Sequence, residues 1–223
     1  NDLLNGGYEV EAVDPLGYCL PTLLPETAGK AVQAALEAKG ARFHFGPLVT
    51  AVNRAEQGVV VSLNNGERIN ADIVVSAVGV RPRVDLAKAA GLEVNRGIVT
   101  NRLLETSAPN VYALGDCAEV AGHVLVYVAP LVACSRALGK TLAGEPTEVV
   151  YPPMPVTIKT PACPVVVAPP PAGVEGEWQI DADGSDVRAE FRNAAGELLG
   201  FALTGDATKA KIELQKALPA ILP

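Results

Sequence analysis

The stretch Asn110-Val-Tyr-Ala-Leu-Gly-Asp-Cys-Ala-Glu119 decides the fold. Its run Val111-Tyr-Ala-Leu114 reads as a short buried β-strand that stops at Gly115 and delivers one carboxylate, Asp116, at its carboxyl end. In open α/β sheets, ligands sit in the crevice outside the carboxyl ends of the strands. Gly115 has no Cβ and lets the backbone come close to a ligand. Asp116 can accept hydrogen bonds from sugar-type hydroxyls. The plainer alternative is that Asp116 caps a helix beginning near Ala118. An apolar strand ending in Gly-Asp favours the binding role.

Upstream, the largely continuous apolar run 71–78 has the mark of a fully buried parallel strand, and Gly79-Val-Arg-Pro82 breaks it. Gly79 would allow close approach of the backbone to a nucleotide, or simply serve the strand exit as a turn glycine. Tyr8-Glu-Val-Glu-Ala-Val13 alternates like a strand and ends at Asp14-Pro15. In a dinucleotide fold an acidic residue about 20 positions after the glycine fingerprint binds the adenosine ribose. Asp14 is a candidate for that role, or else a turn former ahead of Pro15. A carboxylate there would repel a 2′-phosphate and so favours NADH over NADPH. The fingerprint G-x-G-x-x-G is not in the chain, and its place would fall just before residue 1.

The remaining pattern is βαβ-like with one antiparallel insertion. Residues 1–6 close a helix at Gly6-Gly7, 25–39 form an amphipathic helix and 41–45 a strand. Runs 50–55, 58–63 and 67–70 make a meander with a hairpin signal at Asn64-Asn-Gly66. Residues 84–90 and 129–143 read as helices, with a β stretch at 97–100. Four prolines between Pro146 and Pro155 mark a boundary. Beyond it, strands at 155–159, 165–168, 178–182, 187–192 and 198–204, then a helix at 207–218, form a separate antiparallel sheet with one covering helix.

The length suits one or two domains, and a net charge of −7 argues against nucleic acid as the main partner. A local basic docking patch is compatible with that total. No apolar run is long enough to span a bilayer. Cys19, Cys117, Cys134 and Cys163 form no C-x-x-C pair and no zinc knuckle, which fits reduced thiols in a cytoplasmic protein. Neither His44 nor His123 shows ligand spacing, so both are read as structural and no metal site is expected.

Preceded by Thr106-Ser-Ala-Pro-Asn110, the Asp116 stretch resembles the second FAD-binding motif of the two-dinucleotide-fold flavoprotein reductases, whose Asp holds the ribityl chain. Val74-Val-Ser-Ala-Val-Gly-Val-Arg-Pro82 resembles the strand and G-x-R-P turn that close the NAD domain in these enzymes. Gly79 precedes Asp116 by about 37 residues, and both order and spacing match. The likeness extends through Asn1-Asp-Leu3, Lys30-Ala-Val-Gln-Ala34, Asn95-Arg-Gly-Ile-Val99, Tyr151-Pro-Pro-Met-Pro-Val156, Lys159-Thr-Pro-Ala-Cys-Pro164 and Ala202-Leu-Thr-Gly205. The segment 155–169 and the tail after it narrow it to the rubredoxin reductases of the FAD-dependent pyridine nucleotide-disulfide oxidoreductase superfamily.

That resemblance implies an α/β fold: a partial two-dinucleotide-binding-domain flavoprotein reductase with a C-terminal α+β domain. Residues 1–78 would be the remainder of the NAD-binding domain, 79–147 the returning half of the FAD-binding domain, and 148–223 the C-terminal domain. It implies FAD contacts at Gly115, Asp116, Val128 beside the isoalloxazine, and Lys159, with NAD(H) as substrate near Asp14 and Gly79. A helix start after Asp116 could assist a phosphate or the reduced flavin. A cation at Lys159 would favour the reduced, anionic flavin and raise its potential, unless Lys159 is an ordinary solvent-facing strand lysine. Hydride would pass from NADH to FAD, and single electrons from FAD to rubredoxin, a small acidic carrier. No protein nucleophile or general acid is required. Arg81, Arg83, Lys88 and Arg96 are the expected basic docking surface. With the N-terminal FAD half and the fingerprint absent, the chain is expected to be a fragment without turnover of its own. The alternatives are a reductase for flavorubredoxin or ferredoxin, and a non-catalytic interaction protein that kept the fold.

Overall fold

In the computed structural model, which describes residues 1–223, the chain opens with a one-turn helix, α1 (Asp2–Asn5), that stops at Gly6 and Gly7. Strand β1 (Glu11–Asp14), helix α2 (Glu26–Glu37) and strand β2 (Arg42–Phe45) follow as a βαβ unit. The two strands pair in parallel, Glu11 opposite Arg42 and Asp14 opposite Phe45. The buried face of α2 is Ala28, Gly29 and Val32, residues at helical spacing. Gly29 is required there, because a Cβ would lie 2.6 Å from the Cys19 carbonyl oxygen. The meander comes next: β3 (Val49–Arg54), β4 (Val59–Leu63) and β5 (Arg68–Ala71) are all antiparallel. Its hairpin turns at Gly66, whose φ of +91° suits glycine.

Of the run 71–78, expected as a buried parallel strand, only Ala71 lies in a strand, as the last residue of β5, and the rest forms none. Its side chains are open to solvent, Ile73 at 79%, Val75 at 77% and Val78 at 93%. A parallel strand satisfies its N–H and C=O groups only through neighbours alongside it, and no strand of this chain takes that place. Apolar composition marks what could be buried; a covering layer decides whether it is.

Helix α3 (Asp85–Ala89), strands β6 (Ile98–Thr100) and β7 (Ala118–Val120), and helix α4 (Val128–Leu142) belong to a unit made of Ala77–Met154 and Ala220–Pro223. Strands β6 and β7 pair in parallel, Ile98 opposite Ala118 and Thr100 opposite Val120. The core joins Leu104, Ala118 and Val120 to Cys134, Ala137 and Leu138 of α4, with Val149 and Tyr151. Positions 134, 137 and 138 share one helical face. Tyr151 is clamped by backbone bonds to Leu222, and its hydroxyl lies 3.0 Å from the Cys134 sulfur. The expected strand at 111–114 is replaced by an irregular segment. It makes a single bridge, Glu105 to Tyr112, with bonds from the Thr106 N–H to the Val111 carbonyl, 2.8 Å, and from the Ala113 N–H to the Leu104 carbonyl, 3.1 Å. The bridge is not extended by a second one on either side, so no ladder forms. Ala118 opens a strand rather than a helix, so the cap alternative for Asp116 and the helix-terminus role for the segment after it both fall.

The second unit unites Asn1–Ser76 with Pro155–Pro219. Here β8 (Val156–Ile158), β9 (Val165–Ala168), β10 (Glu177–Asp183), β11 (Asp186–Arg192) and β12 (Leu198–Thr204) form an antiparallel sheet of order β10-β11-β12-β9-β8. A 3-10 turn, Gly205–Ala210, leads into helix α5 (Lys211–Ala217), so the expected helix 207–218 begins as a tighter coil. The two-residue period divides the sheet between two helices. Val165, Val167, Val187, Ala189 and Ala202 pack with Leu24, Ala28 and Val32 at α2. Val166, Ala168, Phe201 and Leu203 pack with Leu214 of α5.

Phe201 is fully buried, so Phe201→Ala should lower the unfolding free energy by about 3–5 kcal/mol in a urea titration of the chain. Val78→Ala, at an exposed site, should change it by less than about 0.5 kcal/mol; a large loss at Val78 would mean that the run is packed after all.

Candidate cofactor site

Gly115 takes a left-handed φ of +83°, and a turn through Asp116 and Cys117 closes when the Ala118 N–H donates to the Gly115 carbonyl at 3.0 Å. Asp116 is exposed and its carboxylate makes no hydrogen bond or ion pair within the chain. The turn faces the first turn of α4: a Cβ on Gly115 would lie 3.3 Å from Leu131 Cδ1. That helix starts at Val128, which is 73% exposed, and Tyr127 ahead of it supplies no side-chain cap. The N–H groups of Val128 and Ala129 therefore lack intrahelical acceptors. The unpaired carboxylate can accept from polyol hydroxyls, and the unclaimed N–H groups of Val128 and Ala129 can donate to a polar ring edge. These residues fit a flavin with its ribityl arm.

Three residues beyond Asp116, Glu119 is buried. Its carboxylate accepts from Asn95 Nδ2 at 3.0 Å, from the Arg96 N–H at 2.9 Å and from the Gly97 N–H at 3.1 Å. Burial by itself pushes this carboxyl up, but the bonds from Asn95, Gly97 and Arg96, with the Arg96 charge, outweigh it and hold the group below its ordinary value. Gly97 makes the approach possible, since a Cβ would lie 2.9 Å from both the Ala118 carbonyl carbon and the Glu119 nitrogen. Reading the sequence missed Glu119. The signal was available as Asn95-Arg-Gly97, a polar turn with a glycine ahead of β6, but nothing local pairs it with residue 119.

The other candidates are dispersed. Gly79 has a φ of +91° and open space where a Cβ would be. Asp14 ends β1 and its Oδ1 accepts from the Leu16 N–H at 2.7 Å, so it does form the turn at Pro15 while its second oxygen stays unpaired. Lys159 follows β8, exposed and without an ion pair. The turn after it is anchored by Asn1, whose side chain donates to Thr160 Oγ1 at 3.1 Å and accepts from the Ala162 N–H at 2.9 Å. Gly79, Gly115, Asp116 and Val128 thus belong to one unit, Asp14 and Lys159 to the other. His44 sits 2.9 Å from Glu11 and 3.6 Å from Glu67, and His123 packs edge-on to Tyr151; both have structural partners. Arg96 donates to the Gly122 carbonyl at 3.1 Å, whereas Arg81, Arg83 and Lys88 are without ion pairs. No helix is long and apolar enough to cross a membrane.

Parallel βαβ pairing, a Gly-Asp turn against a helix start and a further antiparallel sheet are features of the dinucleotide-binding class of α/β proteins. The chain belongs to the pyridine nucleotide-disulphide oxidoreductase family, whose pattern matches residues 2–134, and residues 148–218 match the rubredoxin binding C-terminal domain. Over its whole length the chain is 58% identical to a rubredoxin-NAD(+) reductase of Alcanivorax borkumensis, covering 59% of that protein. It is 38% identical to a nitric oxide reductase FlRd-NAD(+) reductase of Aliivibrio fischeri, with 97% of this chain and 57% of the relative covered. A ferredoxin reductase structure from Rhodopseudomonas palustris superposes with a TM-score of 0.84 at 23% identity, over 100% of this chain and 57% of that one, and shares the fold. The chain therefore spans under two thirds of the length of these relatives.

A carboxyl lowered in the folded state contributes stability that is present above its ordinary value of 4.5 and is lost as pH falls below it toward the folded-state value. Acid unfolding followed by circular dichroism should therefore be shallower for Glu119→Gln than for the parent chain. Identical pH dependence in the two proteins would contradict the lowered value.

Proposed function

We propose that this chain is the later part of an FAD-dependent reductase that takes electrons from NADH and passes them to rubredoxin. The observation that carries the proposal is the succession, in one chain, of the reductase family pattern at 2–134 and a rubredoxin binding domain at 148–218. Residues 1–78 are assigned to the NAD-binding domain, 79–147 to the returning half of the FAD-binding domain, and 148–223 to acceptor docking. Asp116 and Gly115 would hold the ribityl arm and Val128 would lie along the ring system. Lys159 would place a cation at the flavin, and Asp14 and Gly79 would meet the nicotinamide nucleotide. Bound flavin supplies the conversion between a two-electron donor and a one-electron acceptor. The protein's own share is binding, orientation and charge.

Docking is assigned to weak electrostatics, with Arg81, Arg83 and Lys88 as cations that no carboxylate of the chain neutralises. Four free cysteines, two of them buried, support the cytoplasm as its compartment. The 38% likeness to the flavorubredoxin-linked reductase makes flavorubredoxin the second acceptor to test. A non-catalytic protein would have no reason to keep an unpaired Asp116 and an unpaired Lys159.

The full-length protein should purify yellow, and NADH should reduce rubredoxin faster than flavorubredoxin or ferredoxin, at rates that fall as salt rises. Asp116→Ala should weaken FAD binding by about 10–100-fold, the equivalent of roughly 1.5–3 kcal/mol for hydrogen bonds to a charged group. Lys159→Met should move the flavin midpoint potential to a more negative value. A colourless protein that takes up no added FAD would refute the assignment.

A further inference from the structure

We infer that Glu119, buried beneath the turn, is the residue that positions Asp116 for the flavin, an inference that rests on the cofactor assignment above. Asp116 has no side-chain partner, so its carboxylate stands wherever the backbone of its turn puts it. That turn has little freedom of its own, and what freedom it has is removed by residues 95–98. The Ile98 N–H donates to the Cys117 carbonyl at 2.8 Å, and the Ala118 N–H to Gly115 at 3.0 Å. One residue further on, the Glu119 carboxylate takes up Asn95, Arg96 and Gly97. The two segments are pressed together at Gly97, where no Cβ would fit.

The chemistry of the socket separates positioning from catalysis. All three partners are donors, and the carboxylate that accepts from them is buried. Its contribution is therefore geometric. It is a charge that fastens the β6 entrance to β7, and thereby the peptide carrying Asp116. Replacement by Ala would strand two backbone N–H groups, one of them buried, and release the turn. Replacement by Gln would keep an acceptor for both backbone donors, and a flip of the Asn95 amide would offer its oxygen to the new NH2.

The test is a double-mutant cycle in the full-length protein, read as the FAD dissociation constant and as the melting temperature of the FAD-free form. Glu119→Ala should weaken FAD binding on the order of tenfold, and Glu119→Gln by less than about threefold. In an Asp116→Ala background, Glu119→Ala should add less than about twofold, the non-additivity expected when one residue acts through another. The melting temperature should drop equally in both backgrounds. Should Glu119→Ala not fold, Asn95→Ala, which removes one of the three bonds, takes its place in the cycle. A lowered melting temperature with unchanged FAD affinity would reduce Glu119 to a fold residue and overturn the inference. So would an affinity loss of the same size with Asp116 absent, or an Asp116→Ala protein that binds FAD normally. Failure of the unmutated protein to bind FAD is a separate result, because it removes the cofactor assignment itself.

Discussion

Backbone N–H and C=O groups that leave water must find partners, and the consequences of that requirement run through the whole structure. Where the chain supplies neighbours, apolar strands become regular and buried. Strand β12 has β11 on one side and β9 on the other, and Phe201, Ala202 and Leu203 are fully buried between α2 and α5. Where it does not, an equally apolar run stays irregular. Ile73, Val75 and Val78 are as well suited to a sheet interior as Val165–Ala168, yet they lie open to solvent. Hydrophobic side chains favour burial at roughly 25 cal/mol per Å², but that gain is realised only when a second layer and a hydrogen-bonded neighbour arrive together.

The same accounting distinguishes the two carboxylates of the Gly115 to Glu119 segment. Glu119 has its acceptor capacity filled by three donors inside the protein, whereas Asp116, three residues earlier, has none filled. A strand reverses side-chain direction at each step, and the turn before β7 places Asp116 outside the pairing altogether. One carboxylate is thereby tied into the structure, and the other stays exposed and unpaired. A polar group left unpaired in this way is free to bind without competing with the fold.

Much of the architecture was legible along the chain. The helix at 25–39, the meander with its Asn-Asn-Gly turn and the five strands of the tail follow from periodicity and turn chemistry, and each forms within a residue or two of its expected limits. Gly115 and Asp116 were legible too, since a glycine followed by a carboxylate after apolar residues is a local pattern. The strands expected at 71–78 and 111–114 did not form, because apolar content reports a capacity for burial and says nothing of the neighbour. Glu119 was illegible for a related reason: its partners lie more than twenty residues away, and no local rule joins an Asn-Arg-Gly turn to a glutamate.

What the sequence determined by itself was the set of local conformations and the chemical identity of the exposed acceptor, because spacing, turn residues and charge act over a few positions of chain. Tertiary structure alone decided which apolar runs were covered, that α2 and α5 share the two faces of one sheet, and that a buried carboxylate clamps the turn carrying Asp116. Those outcomes depend on backbone pairing and packing between segments far apart in the chain, where the free energy belongs to the assembled contact and to neither segment alone.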